Sequence, residues 1–302
     1  MLGSTIEEMA KAGFAAAYMD SGNHGGTYLN FNADCSRDSG GGNSYIKDNQ
    51  RLLVSLRERA RKINPDFCFT AESFWEGNIA ALDGILVCNT TNVYLEGSRV
   101  TAIPMAQTVY HDYCLMYSVW PSKSDLERDN GRGYIAKHGL AFTWGVKPGW
   151  NMLPFLYKFE NHQIAHAASL KRYEAYSKSK KFLVFGQMLR SPEIVSPNEF
   201  LPVKWHISYS DRYHSVNMPS VLSTAWRSPD GKLGIVLYNI SDKVQKMTLK
   251  LDCKEYAINK DGNLQFVSLY PEGKSLTDNG GKNHVELTTE IPPSSPQVIE
   301  LR

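Results

Sequence analysis

The stretch FAAAYMDSGNHGG, residues 14–26, decides how the chain is read. A run of small and apolar residues, Phe14-Ala15-Ala16-Ala17-Tyr18-Met19, leads into Asp20 and then into a loop of Ser, Asn, His and Gly. A short apolar run that ends in turn residues fits a buried strand. Asp20 is then either a carboxylate presented at a strand end or an ordinary turn former. The surrounding chain has to separate the two.

Upstream, Thr5-x-x-Glu8 fits a capping box and Gly13 a helix stop, which predicts a helix over residues 5–12. Downstream, a loop rich in Gly, Asn and Asp runs through Gly40-Gly41-Gly42. Leu52, Leu53, Leu56, Ala60 and Ile63 then recur at helical spacing, and Pro65 ends that helix. Phe67-Cys68-Phe69-Thr70-Ala71 reads as a second buried strand, closing on Glu72. Further on, the pattern predicts a helix over 75–82 and strands over 85–88, 103–110 and 140–146. A last helix is predicted over 160–179. Buried strands alternating with helices predict a parallel α/β sheet. Long loops that follow the strands favour a TIM (β/α)8 barrel, where the functional loops lie at the carboxyl ends of the strands.

The pattern changes near residue 195. After Pro192, Pro197 and Pro202 come short alternating runs over 203–209, 221–226, 233–239, 244–251, 285–291 and 297–301. Pro229-Asp230-Gly231 joins two of them as a hairpin turn. These runs predict an antiparallel β-sandwich. The expected fold class is therefore α/β plus all-β: a partial (β/α)8 barrel catalytic domain over 1–194 and a C-terminal β-sandwich over 195–302. A complete barrel takes about 250 residues. Five strands in the first 194 residues fall short of that and suggest a barrel truncated at its N-terminus, lacking its first three strands. An open α/β sheet is the alternative.

Composition narrows the function classes. Among 302 residues, Lys plus Arg number 33 and Asp plus Glu 31, a net charge of +2. That balance makes no electrostatic case for nucleic acid or an anionic membrane. No apolar run is long enough for a membrane span. The first residues read as a helix and not as a signal peptide. The compartment is extracellular or periplasmic if a signal was lost upstream, and otherwise cytoplasmic; the oligomeric state is open. The cysteines, Cys35, Cys68, Cys88, Cys114 and Cys253, are odd in number and lack metal-type spacing. Cys68 and Cys88 are expected as buried thiols. No phosphate-binding Gly-Lys-Ser/Thr loop, dinucleotide Gly-x-Gly-x-x-Gly or Gly-x-Ser-x-Gly elbow occurs. His162 and His166 stand four apart, but Gln163 occupies the place of a zinc protease's glutamate, so they read as packing or surface histidines. No metal or organic cofactor is called for.

Several short motifs carry a resemblance. They are Tyr18-Met19-Asp20, Thr70-Ala71-Glu72-Ser73, Phe142-Thr143-Trp144-Gly145, Phe182-Leu183-Val184-Phe185-Gly186 and Leu233-Gly234-Ile235-Val236-Leu237-Tyr238-Asn239. With their order they make the chain resemble the later part of a TIM-barrel glycoside hydrolase with a C-terminal β-sandwich. The group includes α-galactosidases and endo-α-N-acetylgalactosaminidase-like enzymes, and the resemblance covers nearly the whole chain. It implies that Asp20, at the end of strand four counted back from the sandwich, is the nucleophile, and that the acid/base follows a later strand.

Glu72, at the next strand end, suits that second role. Adjacent strands lie about 4.8 Å apart, close to the roughly 5–5.5 Å carboxyl separation of retaining glycosidases. Glu76 is the alternative acid/base, or a helix-start carboxylate. Candidate sugar contacts are His24, Asp34 and Arg37 in the loop after Asp20, and Trp75 beside Glu72. His111 and Tyr113 follow the strand expected at 103–110. Trp144 and Lys147 follow the one at 140–146, with the Trp144 ring a floor for a sugar. Asp83, before Gly84, reads as a turn residue. The expected function is a retaining glycoside hydrolase acting on a glycan or oligosaccharide. The alternative is a non-catalytic carbohydrate-binding or scaffold protein.

Overall fold

The computed structural model describes residues 2–20, 29–34, 40, 43–72, 74–87, 99, 103–119, 122–149, 162–206, 213–260, 264–273 and 275–302. Two compact units emerge. Met1–Thr90 and Tyr113–Tyr117 form one; Thr91–Asp112 and Ser118–Arg302 form the other.

The first unit contains helices α1 (Leu2–Lys11) and α2 (Ser44–Arg61) and strands β1 (Ala16–Met19), β2 (Cys68–Glu72), β3 (Gly84–Leu86) and β4 (Leu115–Tyr117). A 3-10 helix, Glu76–Ala81, replaces the expected α-helix over 75–82. The four strands are parallel and ordered β1-β2-β3-β4, as they follow in the chain. They do not close on themselves, so the expected barrel is absent from the described residues. α1 starts three residues before the expected capping box, which leaves Thr5 inside the helix. Gly13 takes the left-handed conformation of a helix stop, with φ 84°.

Burial on β2 alternates. Phe69 and Ala71 are sealed in, whereas Cys68 and Thr70 are half-buried. Ile85 and Met116 extend the buried face across β3 and β4, and Ile6, Ala10, Leu53, Leu56 and Ala60 are the buried side chains of the two helices. β1 departs from the expectation of a fully buried strand, because only Ala17 is buried and Tyr18 is exposed. Cys68, too, is half-buried and not sealed, while Cys88 lies outside the described residues. Asp83 is more than a turn residue. Its carboxylate accepts from Arg61 Nη2 at 2.8 Å and from the Phe69 backbone N–H at 2.8 Å, tying α2 to the amino ends of β2 and β3.

The second unit contains α3 (Met105–Tyr110), α4 (Lys123–Glu127), α5 (Arg132–Thr143), α6 (Gln163–Lys178) and α7 (Lys180–Leu183). Two expected strands are therefore helices: 103–110 holds α3, and 140–146 begins as the last turn of α5. Every side chain of α5 from Tyr134 to Thr143 is buried. A helix buried all round shows no amphipathic period, and its apolar run looks the same as that of a buried strand.

Strands β5 (Gln187–Leu189), β6 (Glu193–Ile194), β7 (Phe200–His206), β8 (Tyr213–Pro219), β9 (Val221–Arg227), β10 (Leu233–Asn239), β11 (Gln245–Asp252), β12 (Phe266–Tyr270), β13 (Ser275–Leu276), β14 (His284–Ile291) and β15 (Ser295–Leu301) follow. One sheet runs β13-β12-β15-β10-β9-β5, a second runs β14-β11-β6, and β7 pairs with β8 alone. Leu233, Ile235 and Leu237 of the first sheet share a single apolar cluster with Met247, Leu249, Leu251, Val285 and Leu287 of the second. The alternate residues of β10 turn the other way, and there the Tyr238 ring meets Phe142 of α5 at 5.9 Å. β10 is thus covered on both faces, which is why it reads as an unbroken apolar run. Each large apolar side chain buried this way contributes about 1.5–3 kcal/mol. α5 and α6 pack on strands of the six-stranded sheet and so group with the later chain. The expected limits 1–194 and 195–302, drawn where the sequence pattern changes, return below as a proposal.

Candidate active site

The site in the first unit follows from strand register. Met19 of β1 pairs with Ala71 of β2, so Asp20 and Glu72 each come one residue later at the carboxyl edge of the same parallel pair. Neighbouring strands are about 4.8 Å apart. Glu72 pairs onward with Leu86, and Leu86 with Tyr117, which gives one row across three strands. Glu72 breaks the alternation of β2. It lies on the half-buried side with Thr70, yet is only 4% exposed. Asp20 is exposed in the turn that opens after β1. One carboxyl group is withdrawn from water and the other is open to it. Such a difference in setting is what separates acid from base or nucleophile in paired-carboxylate chemistry.

Glu76 begins the 3-10 helix and is exposed. Trp75 precedes it, half-buried, with its ring folded back over Gly77. A Cβ at Gly77 would meet Trp75 Cζ2 at 2.8 Å, so glycine is what lets the ring lie there. Asn78 is fully buried with neither amide atom hydrogen-bonded, a polar group that the sequence does not flag. Asp34 is exposed in its loop, and its N–H donates to Asn32 Oδ1 at 3.0 Å. His24 and Arg37 lie outside the described residues. Tyr113 is exposed ahead of β4. Tyr18, Thr70 and Tyr117 share a face with Glu72 and were not among the expected sugar contacts. Tyr117 was hidden because β4 is only three residues long, too short to show a period.

His111, Trp144 and Lys147 belong to the second unit. Trp144 follows a helix and not a strand, and is buried, bordering a mostly apolar cavity of about 700 Å³ with Thr143, Met188 and Phe200. The expectation of an open aromatic floor at a strand end is corrected there. His111 closes α3 with its ring edge-on to Trp226 at 4.9 Å; burial lowers its pKa, against the charge of Asp112. Lys147 is exposed, and its backbone carbonyl accepts from the Ser118 N–H at 2.8 Å. His162 is buried and His166 half-buried at the start of α6. Among the described residues, no group of three or more His, Cys, Asp or Glu could hold a metal ion, and no helix is long and apolar enough to cross a membrane.

Comparison with known proteins adds the following. A family profile described as a domain of unknown function (DUF6259) matches residues 3–120. No curated protein matches the chain in sequence. Similar solved structures include glycosidases. An α-amylase from Geobacillus thermoleovorans complexed with acarbose is 10% identical, with a TM-score of 0.49 over 84% of this chain and 57% of the amylase. α-Galactosidase I from Mortierella vinacea is 11% identical, with a TM-score of 0.46 over 98% of this chain and 70% of that one. A GH27 β-L-arabinopyranosidase from Geobacillus stearothermophilus is 8% identical, with a TM-score of 0.42 over 99% and 60%. The chain thus spans less than two thirds of the length of the amylase and of the arabinopyranosidase.

Proposed function

We propose that the chain is a glycoside hydrolase, or part of one, that works by a retaining mechanism on a glycan or oligosaccharide. Asp20 is the nucleophile and Glu72 the acid/base. Residues 1–194 form the catalytic domain and 195–302 a β-sandwich appended to it. One observation carries this reading: the register Met19↔Ala71, which brings two carboxylates to the same edge of adjacent parallel strands. Strand spacing of about 4.8 Å suits the roughly 5–5.5 Å of a retaining pair better than the wider gap that an inverting enzyme keeps for water. The different settings of the two groups support the division of labour. Buried Glu72 is placed to pass a proton to the leaving group, and open Asp20 to attack the anomeric carbon. The glycosyl-enzyme ester so formed is then hydrolysed by water that Glu72 deprotonates.

The test is hydrolysis of aryl glycosides of both anomers. Asp20→Asn is expected to lower kcat/KM on every substrate. Glu72→Gln is expected to cost about 10²–10⁴-fold with poor leaving groups, the usual range for general acid–base catalysis. It should cost far less with dinitrophenyl glycosides, whose departure needs no proton, and the product anomer should match the substrate. Unchanged rates in both variants, or an inverted product, would overturn the assignment. A second reading, a non-catalytic carbohydrate-binding protein, is favoured by the open four-stranded sheet. A wild-type chain inert on the whole panel yet binding sugars would select it.

A further inference from the structure

The face of the parallel sheet that carries Glu72 is shaped by a glycine. Thr70 pairs with Gly84, and Gly84 with Leu115, in one row across β2, β3 and β4. Glu72, Leu86 and Tyr117 form the row two residues nearer the carboxyl edge. Rows two residues apart share a face. Thr70, Glu72, Tyr117 and the vacant Cβ position of Gly84 therefore lie together, opposite the sealed face of Phe69, Ala71 and Ile85. The Glu72 face is more open: Tyr18 is 46% exposed, and Thr70 and Tyr117 are half-buried.

Tyr117 reaches back across this face. Its hydroxyl is hydrogen-bonded with the side chain of Thr70, two strands away. Two strand spacings amount to about 9.6 Å, so the phenol can span them only by lying over β3. Gly84 leaves the room. A Cβ there would meet Thr70 Cγ2 at 3.1 Å, the Leu115 carbonyl at 3.3 Å and Tyr117 Cε1 at 3.4 Å. Thr70 stands two residues before Glu72 on the same strand, about 6.6 Å along it. The ring is thus held at both ends, with its hydroxyl at Thr70, one row before Glu72 on the same face. Burial raises the Tyr117 pKa, against the hydrogen bond with Thr70.

We propose that Tyr117, laid across Gly84 and tethered to Thr70, is the aromatic platform on which a pyranose ring stacks beside Glu72, and that it sets which sugar the site accepts. This rests on the glycosidase reading given above. A neutral aromatic face offers an apolar patch to the C–H face of a sugar, while the polar rim of the same surface takes its hydroxyls. That chemistry suits the C–H face of a neutral pyranose.

The test uses the full chain with methyl α- and β-D-galactopyranoside and methyl α- and β-D-glucopyranoside, followed by saturation-transfer NMR, together with KM and kcat on the matching aryl glycosides. Tyr117→Ala is expected to weaken binding and raise KM about three- to tenfold, the worth of an aromatic contact beyond area burial, with kcat little changed. Tyr117→Phe, which keeps the ring, should retain most of the binding. Gly84→Ala, whose Cβ would crowd Thr70 Cγ2 at 3.1 Å and the Leu115 carbonyl at 3.3 Å, should weaken binding by displacing the Thr70 tether while leaving the phenol itself in place. Unfolding curves for each variant separate lost folding from lost binding. Unaltered binding and KM in both Tyr117→Ala and Gly84→Ala would overturn the platform while leaving the carboxylate assignment standing. Tyr117-dependent sugar binding in a chain that hydrolyses nothing would uphold the platform and overturn the catalytic reading. A wild-type chain that binds none of the four sugars would overturn both.

Discussion

Lys137 Nζ donates to Asp125 Oδ2 across 2.7 Å, with the two side chains 1% and 0% exposed. Lys137 sits mid-way along α5, and Asp125 closes the capping box of α4 by accepting from the Ser122 N–H. Removing two charges from water costs several kcal/mol each, and the mutual attraction offsets this only while both partners are present. Lys137→Met is expected to destabilise the chain by about 3–5 kcal/mol, because buried Asp125 loses its ion-pair partner. Combining it with Asp125→Leu should cost less than the two single changes summed, although the cap is lost too. Urea unfolding of the four chains measures the cycle. An additive result would show that the pair is not coupled.

His138, the next residue on α5, is buried against the Tyr134 ring at 4.2 Å. Burial first, then the charges of Arg172 and Lys137, holds its pKa well below 6.5. The folded imidazole stays neutral where the unfolded one takes up a proton. In that window the unfolded state binds more protons, so stability rises with pH. The contribution is complete above about pH 6.5 and is lost as pH falls toward the folded pKa, at up to about 1.4 kcal/mol per pH unit. His111, lowered by burial as well, adds with the same sign. Unfolding free energies from pH 7.5 down to 4.5 should show this slope, and His138→Gln should flatten it. An unchanged slope in that variant would remove His138 as its source.

Trp226 ties β9 to the end of α5. Its indole N–H donates to the Thr143 carbonyl at 3.2 Å and to Thr224 Oγ1 at 3.0 Å, and the Thr224 hydroxyl donates to the same carbonyl at 2.7 Å. The ring is wholly buried. Trp226→Ala is expected to cost about 3–5 kcal/mol through the cavity it leaves. Trp226→Phe should cost about 1–2 kcal/mol, since Thr224 still serves the carbonyl. Denaturant midpoints at constant m-value check both figures.

Glu76 and Glu72 can be told apart by one substitution each. Glu76 is exposed at the start of a 3-10 helix, and Glu72 is buried at the end of β2. Glu76→Gln is expected to leave kcat/KM within about threefold, as is usual for exposed groups that do not touch the reacting atoms. Loss of rate in Glu76→Gln with normal rates in Glu72→Gln would exchange their roles.

Much of the chain was legible from pattern alone. α2 announced itself through Leu53, Leu56 and Ala60, and β10 matched its expected range. The placement of Glu72 at a strand end was legible as well, because an apolar run stops there. What misled was burial on every side. Residues 140–142 are all apolar within the enclosed α5, and a local pattern cannot tell an enclosed helix from an enclosed strand. β4 escaped notice for the opposite reason: three residues are too few for any period.

The sequence by itself determined where carboxylates follow apolar runs, and so offered Asp20 and Glu72 as candidates. It could do so because side-chain alternation and helix spacing are properties of neighbouring residues. Only the tertiary structure decided that Met19 pairs with Ala71, that Glu72 is withdrawn from water, and that Tyr117 reaches Thr70 over Gly84. Those facts depend on hydrogen bonds between strands far apart in the chain. A shift of one residue in register would turn each of these side chains to the other face.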